Sequence, residues 1–183
     1  REESMDEQTK QKRKDIVGWV IYIAVLLAII ITFRCFLMIG RVPSESMEPT
    51  LMVHDWLIGD RHAYEEEKPQ RGDIVMFYQK DENETMVKRV IGLPGETVEI
   101  KDGKVYIDGS ETALDDSFIP EKMQGSFGPY TVPDNCYFML GDNRNDSKDS
   151  RFWKNTFVRF DQIIGKAVVR YYPSIKLLGY EEP

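Results

Sequence analysis

Three observations predict a mostly β domain behind a single membrane helix. A run of eighteen uncharged, apolar residues lies near the start, Ile16 to Phe33. Behind it, short apolar segments recur between glycine, proline and aspartate breaks, the pattern of strands joined by turns. Two alternating segments, Val98 to Lys101 and Lys104 to Ile107, are separated only by Asp102-Gly103, a strong hairpin signal. The expected architecture is an antiparallel β-sheet structure, a sandwich or a partly open barrel.

The apolar run comes first. As a helix its eighteen residues extend about 27 Å, close to the ~30 Å of bilayer hydrocarbon. Cys35 to Ile39 lengthens it past Arg34, a cation that can snorkel to headgroups at a helix end. Trp19 and Tyr22 sit at the other end, where amphipathic rings favour the interface. A cleavable leader has a shorter apolar core, about 7–15 residues, and a small-residue cleavage site that is missing here. Lys10, Lys12, Arg13 and Lys14 precede the run and by the positive-inside rule place that end in the cytoplasm. Residues 1–15 then read as a cytoplasmic charged tail, disordered for want of apolar periodicity, 16–39 as the transmembrane helix, and 40–183 as a domain outside the cytoplasm.

Within that domain, Asp73 to Tyr78, Met86 to Ile91, Tyr137 to Leu140 and Ile163 to Tyr172 read as further strands. Ser110 to Tyr130, with Gly125, Gly128 and Pro129, reads as a long surface excursion. Helical hints are confined to Ser46–Met52 and Asp149–Trp153. The net charge of −7 argues against nucleic acid as a partner. Cys35 and Cys136 fall in different regions, so no disulfide framework is expected and the domain must rest on its apolar core.

Three clusters carry chemistry. Ser46 lies in Pro43-Ser44-Glu45-Ser46-Met47-Glu48-Pro49-Thr50, shortly after the apolar run. Lys88 lies in the strand-like Met86-Val87-Lys88-Arg89-Val90-Ile91-Gly92. The third cluster is Gly141-Asp142-Asn143-Arg144-Asn145-Asp146-Ser147-Lys148-Asp149-Ser150-Arg151. A serine needs a base to act as a nucleophile at neutral pH. Lysine can serve if desolvation lowers its pKa from about 10.4 to roughly 7–8, and Lys88 lies between Val87 and Val90. On local sequence alone, a solvated strand lysine is the favoured reading. His54 and His62 follow Ser46 in a polar stretch without a G-x-S-x-G elbow, and they read as exposed side chains. No H-E-x-x-H helix or comparable metal set occurs, so no metal is expected.

These clusters, with Arg71-Gly72-Asp73-Ile74-Val75-Met76-Phe77 between the first two, stand in one order behind one apolar span. In this the chain resembles the type I signal peptidases, in their short single-span bacterial form. The resemblance implies a membrane-bound serine endopeptidase of the bacterial cell membrane that removes signal peptides from exported preproteins without a cofactor. It implies Ser46 as nucleophile, Lys88 as general base, Ser44 as an oxyanion-hole donor with the Ser46 N–H, and Ser147 as the hydroxyl orienting the lysine. Asp149 with Arg151, and Asp142 with Arg144, would be pairs supporting the loop; a solvated charged turn is the alternative.

The implied substrate is cut after a small residue with another small residue two positions earlier, which calls for shallow apolar pockets. Val42, Met47, Leu51, Met86 and Val87 are candidates for the pocket walls or for plain core packing. The peptide would bind extended, as a strand added along the edges carrying Val42 and Val87. Implied partners are the signal peptides of secreted preproteins and the lipid bilayer; the oligomeric state stays open. A self-cleaving Ser-Lys repressor protease is disfavoured by the apolar span and the acidic charge. A non-catalytic surface scaffold is disfavoured because Ser46 and Lys88 are both present.

Overall fold

A computed structural model describes residues 2–179, with side chains from position 11 onward. Two compact units divide it, Arg1–Leu37 and Met38–Pro183.

The first unit is one helix, α1 (Glu2–Phe36). Its start corrects the expected unstructured tail. Glu, Gln, Lys and Arg are good helix formers, and a helix already nucleated by the apolar run extends through them at little cost. The side chains of 1–10, Lys10 among them, lie outside the described residues. Gln11–Phe36 is long and apolar enough to cross a membrane. Trp19 and Tyr22 meet edge to face at 6.0 Å. The helix stops at Phe36, three residues short of the expected boundary, because the chain turns directly into β1 (Leu37–Arg41).

In chain order the second unit then adds β2 (Trp56–Asp60), β3 (Ile74–Gln79), β4 (Glu84–Gly92), β5 (Thr97–Lys101), β6 (Lys104–Ile107), β7 (Phe127–Thr131), β8 (Cys136–Leu140), β9 (Val158–Arg159), β10 (Ile163–Tyr172) and β11 (Lys176–Leu177). The large sheet runs β1-β2-β10-β3-β4-β8-β9, with β11 also on β10, and it stays open rather than closing into a barrel. The small sheet runs β6-β5-β7. The registered pairs are antiparallel, as in Val75 opposite Lys88 and Arg89 opposite Leu140. The β5–β6 hairpin turns at Asp102 and Gly103, both at positive φ (49° and 77°), as a tight hairpin turn requires.

Three apolar clusters fill the unit. Val42, Met47, Leu51, Leu57, Ile74 and Met76 form one, and Val75, Phe77, Val90, Tyr137 and Met139 another. The third, with Val98, Ile100, Val105 and Phe138, joins the small sheet to the large one. It also takes in Met123, 3% exposed, and Leu114. Ser110–Tyr130 is therefore no free excursion: it ends in β7 and is anchored by buried side chains. The expected helical stretches shrink to a 3₁₀ turn at Glu45–Met47 and a single turn in which the Phe152 and Trp153 N–H groups bond to the Asp149 carbonyl.

Candidate active site

Ser46 sits in the 3₁₀ turn Glu45–Met47, which packs against β4. Met47 and Leu51, 1% and 0% exposed, anchor this segment in the core and leave Ser46 partly exposed above it. The chain on either side is pinned. The Val42 N–H donates to Asp55 O (2.9 Å), and His54 N–H to Val42 O (2.8 Å). The buried Asp55 carboxylate accepts from Met52 N–H at 2.8 Å and from Arg170 of β10 at 3.3 Å. Ser44 Oγ lies 3.3 Å from Ser46 Oγ.

Lys88 lies in β4 and is 3% exposed. Its pKa is lowered to about 8, chiefly by burial; Asp149 opposes the shift and Arg151 reinforces it. The amine makes no hydrogen bond or ion pair among the described residues, a setting that suits the neutral form.

The loop 141–151 is fastened to the Ser46 turn, and its Asp142, Asp149 and Arg151 charges act on Lys88. Gly141 is the closest joint: a β-carbon there would lie 2.2 Å from Ser147 Oγ and 2.3 Å from the Ser46 carbonyl oxygen. Only a residue without a side chain lets these two serines approach the same backbone. The Asn143 N–H donates to Ser46 O (3.1 Å), and its side-chain amide to Glu45 O (3.2 Å). Asp149 accepts from Gly141 N–H (3.0 Å) and from Arg151 Nε and Nη2 (both 2.8 Å), in a pair almost wholly excluded from water.

Asp142 and Arg144 do not pair with each other, contrary to the sequence expectation. Asp142 takes a two-pronged bond from Arg89, at 2.8 and 2.6 Å. Arg144 binds Asp116 at 2.5 and 2.9 Å and donates to Gly141 O at 3.0 Å. Each buried guanidinium thereby meets a carboxylate from a distant segment, which removes the cost of an unpaired buried charge. Ser147 is 7% exposed, and its Oγ has no hydrogen-bond partner among the described residues. The bond to Lys88 expected from the sequence is thus not formed in this structure.

The five pocket candidates separate. Val42, Met47 and Leu51 are almost inaccessible and pack with partly exposed Val87 in one cluster, whereas Met86 packs with Val75 and Phe77 in another. Met86 and Val87 keep accessible surface; the other three form core beneath it. β1 ends the large sheet. β4 is interior only from Arg89 onward: β8 pairs with Arg89, Val90 and Gly92, so Glu84–Lys88 has a strand partner on one side alone. His54 is exposed and hydrogen-bonded to Arg41 at 2.8 Å, and His62 to Glu65 at 2.5 Å. Among the described residues no group of His, Cys, Asp and Glu could hold a metal ion.

The family described as signal peptidase, peptidase S26, matches residues 14–172. The chain belongs to that family. A signal peptidase I from Leptolyngbya laminosa is 44% identical over 144 residues, spanning 74% of this chain and 69% of its own. Signal peptidase I S of Bacillus subtilis (strain 168) is 37% identical over 183 residues, spanning 92% and 96%. A crystal structure of a signal peptidase I from Enterococcus faecalis, 36% identical, aligns with 55% of this chain and 97% of its own, at a TM-score of 0.48. Within this signal peptidase chain, sequence reasoning missed Gly141 and Asn143 as joints, Asp55 as the anchor of the Ser46 segment, and Asp116 altogether. A glycine heading a polar loop was the one available signal; the other partners lie far apart in sequence.

Proposed function

We propose that this member of the signal peptidase family is a membrane-tethered serine endopeptidase that removes signal peptides from preproteins, with Ser46 as nucleophile and Lys88 as general base. The observation that carries this reading is the buried, unpaired Lys88 amine, its pKa lowered to about 8, in a site whose loop touches Ser46. An amine in that range can be free at working pH and still basic enough to take a proton.

Neutral Lys88 accepts the Ser46 hydroxyl proton as Oγ attacks the carbonyl carbon of the small residue that precedes the cut. Ser44 O–H and Ser46 N–H donate to the resulting oxyanion, charge that exists only near the transition state. The lysine ammonium then protonates the departing amine, leaving an ester on Ser46. A water molecule, deprotonated by Lys88, releases the signal peptide as an acid. Ser147 swings its hydroxyl onto the amine when substrate closes the site, which satisfies a buried group that otherwise lacks a partner. The Asp149–Arg151, Asp142–Arg89 and Asp116–Arg144 pairs hold the loop.

The substrate lies extended between the open edge of Glu84–Lys88 and the end strand β1, adding backbone hydrogen bonds as a strand would. Met86 and Val87 wall the shallow pockets, over a floor of Val42, Met47 and Leu51. Lys12, Arg13 and Lys14, with Lys10, support a reading in which the N-terminus is cytoplasmic and the domain lies across the membrane from it.

The decisive test is cleavage of a fluorogenic peptide carrying an Ala-x-Ala site. Ser46→Ala and Lys88→Ala each abolish turnover with the far-UV circular dichroism unchanged, because nucleophile and base act as one unit. Near-normal turnover in either folded variant excludes the dyad.

A further inference from the structure

The segment between the β5–β6 hairpin and β7 carries neither Ser46 nor Lys88, yet it reaches the 141–151 loop at several points. We propose that Asp116–Gln124 is a strap that holds the 141–151 loop in its working geometry, with Asp116 and Phe118 as positioning residues for the cleavage reaction; the claim about catalysis rests on the function proposed above.

Four contacts tie the strap down. Asp116 gives both carboxylate oxygens to Arg144, whose side chain is 2% exposed and has no other carboxylate partner among the described residues. The Phe118 ring lies 4.6 Å from the Arg89 guanidinium, against the Arg89–Asp142 pair. Asn145 is gripped through both ends of its amide, accepting from Gln124 N–H at 2.8 Å and donating to Lys122 O at 3.1 Å. Met123, buried in the core, sets its sulfur 3.2 Å from Arg151 Nη1. The strap thus holds Arg144, Asn145 and Arg151 directly and Asp142 through Arg89. Ser147 lies between these anchors.

Two relays lead from the strap to the reacting groups. Asp116 fixes Arg144, Arg144 donates to Gly141 O, and Gly141 abuts both Ser46 O and Ser147. Phe118 covers Arg89, the immediate chain neighbour of Lys88. The charges acting on Lys88 are Asp149, Arg151, Asp142 and Glu84, and three of them belong to the strapped loop. Slack in the loop moves those charges and admits water to the amine at the same time. Small misplacements of this kind cost rate, not affinity, when substrate is held by other edges.

The experiment uses the full chain in detergent or vesicles with the Ala-x-Ala peptide, comparing Asp116→Asn, Asp116→Glu, Phe118→Ala and, as control, Glu121→Gln, an exposed position on the same segment. Asp116→Asn lowers kcat about tenfold or more with KM within about twofold, and moves the acidic limb of the pH–rate profile upward as Lys88 is rehydrated. Asp116→Glu restores most of the rate; Phe118→Ala shows the same signature more weakly; Glu121→Gln matches wild type. A folded Asp116→Asn with unchanged kcat and limb overturns the proposal. So does a loss that tracks melting temperature alone, leaves the limb in place and is not rescued by glutamate. If the wild type fails to cleave the peptide, the functional reading fails and the strap is judged by amide hydrogen exchange. Exchange across 141–151 speeds up in Asp116→Asn if the strap exists, and unchanged exchange removes it.

Discussion

On the proposed mechanism, burial makes Lys88 the residue that sets the pH response. With a pKa near 8, about one molecule in ten holds a neutral amine at pH 7. The free base becomes more abundant as pH rises, so kcat/KM climbs roughly tenfold per unit up to about pH 8 and then levels. A pH–rate profile checks this, and His54→Ala and His62→Ala leave it in place. A limb near pH 6.5 that vanishes in either histidine variant would move the base to that ring. Ser44 belongs to the same scale. Its hydroxyl sits 3.3 Å from the Ser46 hydroxyl, so on the same mechanism Ser44→Ala lowers kcat by about a hundredfold with KM little changed; a change in KM alone would make it a ground-state contact. The segments around Ser46 and Lys88 were legible as short runs of distinctive residues. So was the Asp149–Arg151 pair, two residues apart. The partners of Asp142 and Arg144 were not, since Arg89 and Asp116 stand 53 and 28 residues away and no local pattern links them.

Elements show the same division. The β5–β6 hairpin could be read because Asp102-Gly103 encodes its own turn, and β10 because its apolar run is long. β7 escaped notice since Gly128-Pro129 looks like a break; proline is tolerated there because β7 is an edge strand of the small sheet. β2 was missed because Gly59 and Asp60 interrupt its alternation, and its pairing with β1 and β10 makes it a strand. The turn carrying Ser46 and the loop carrying Ser147 meet through Gly141, which predicts a sharp response to one methyl group. Gly141→Ala forces apart two serines that now sit within 2.3 Å of the added carbon. Cleavage falls by at least a hundredfold, on the scale of lost alignment, while far-UV circular dichroism stays native. Wild-type turnover in the alanine variant would show that the two segments can separate without harm.

At the scale of the whole molecule, the boundary between helix and domain is the feature the sequence blurred. Apolar character runs past Arg34 to Ile39, so hydropathy alone cannot separate the end of α1 from the start of β1. The distinction has a measurable outcome. A fragment 37–183 keeps all of β1, including Met38 in the core at 4% exposure, and folds as a unit that cleaves soluble peptide. A fragment 42–183 loses that strand and melts at lower temperature, because the apolar surface under Met38 is opened. Equal melting temperatures would show that β1 contributes nothing to the domain.

The direct passage from Phe36 to Leu37 also sets how the enzyme meets its substrate. On the proposed membrane-tethered reading, a domain joined directly to its bilayer helix explores a surface, not a volume. Its preproteins, anchored by their own apolar signal segments, diffuse in the same plane. Encounter is then governed by molecules per unit area and by lateral mobility, and the effective local concentration can far exceed the bulk value. A Michaelis constant measured with free peptide in solution describes the catalytic groups alone, and the rate in a vesicle follows the lipid-to-protein ratio instead.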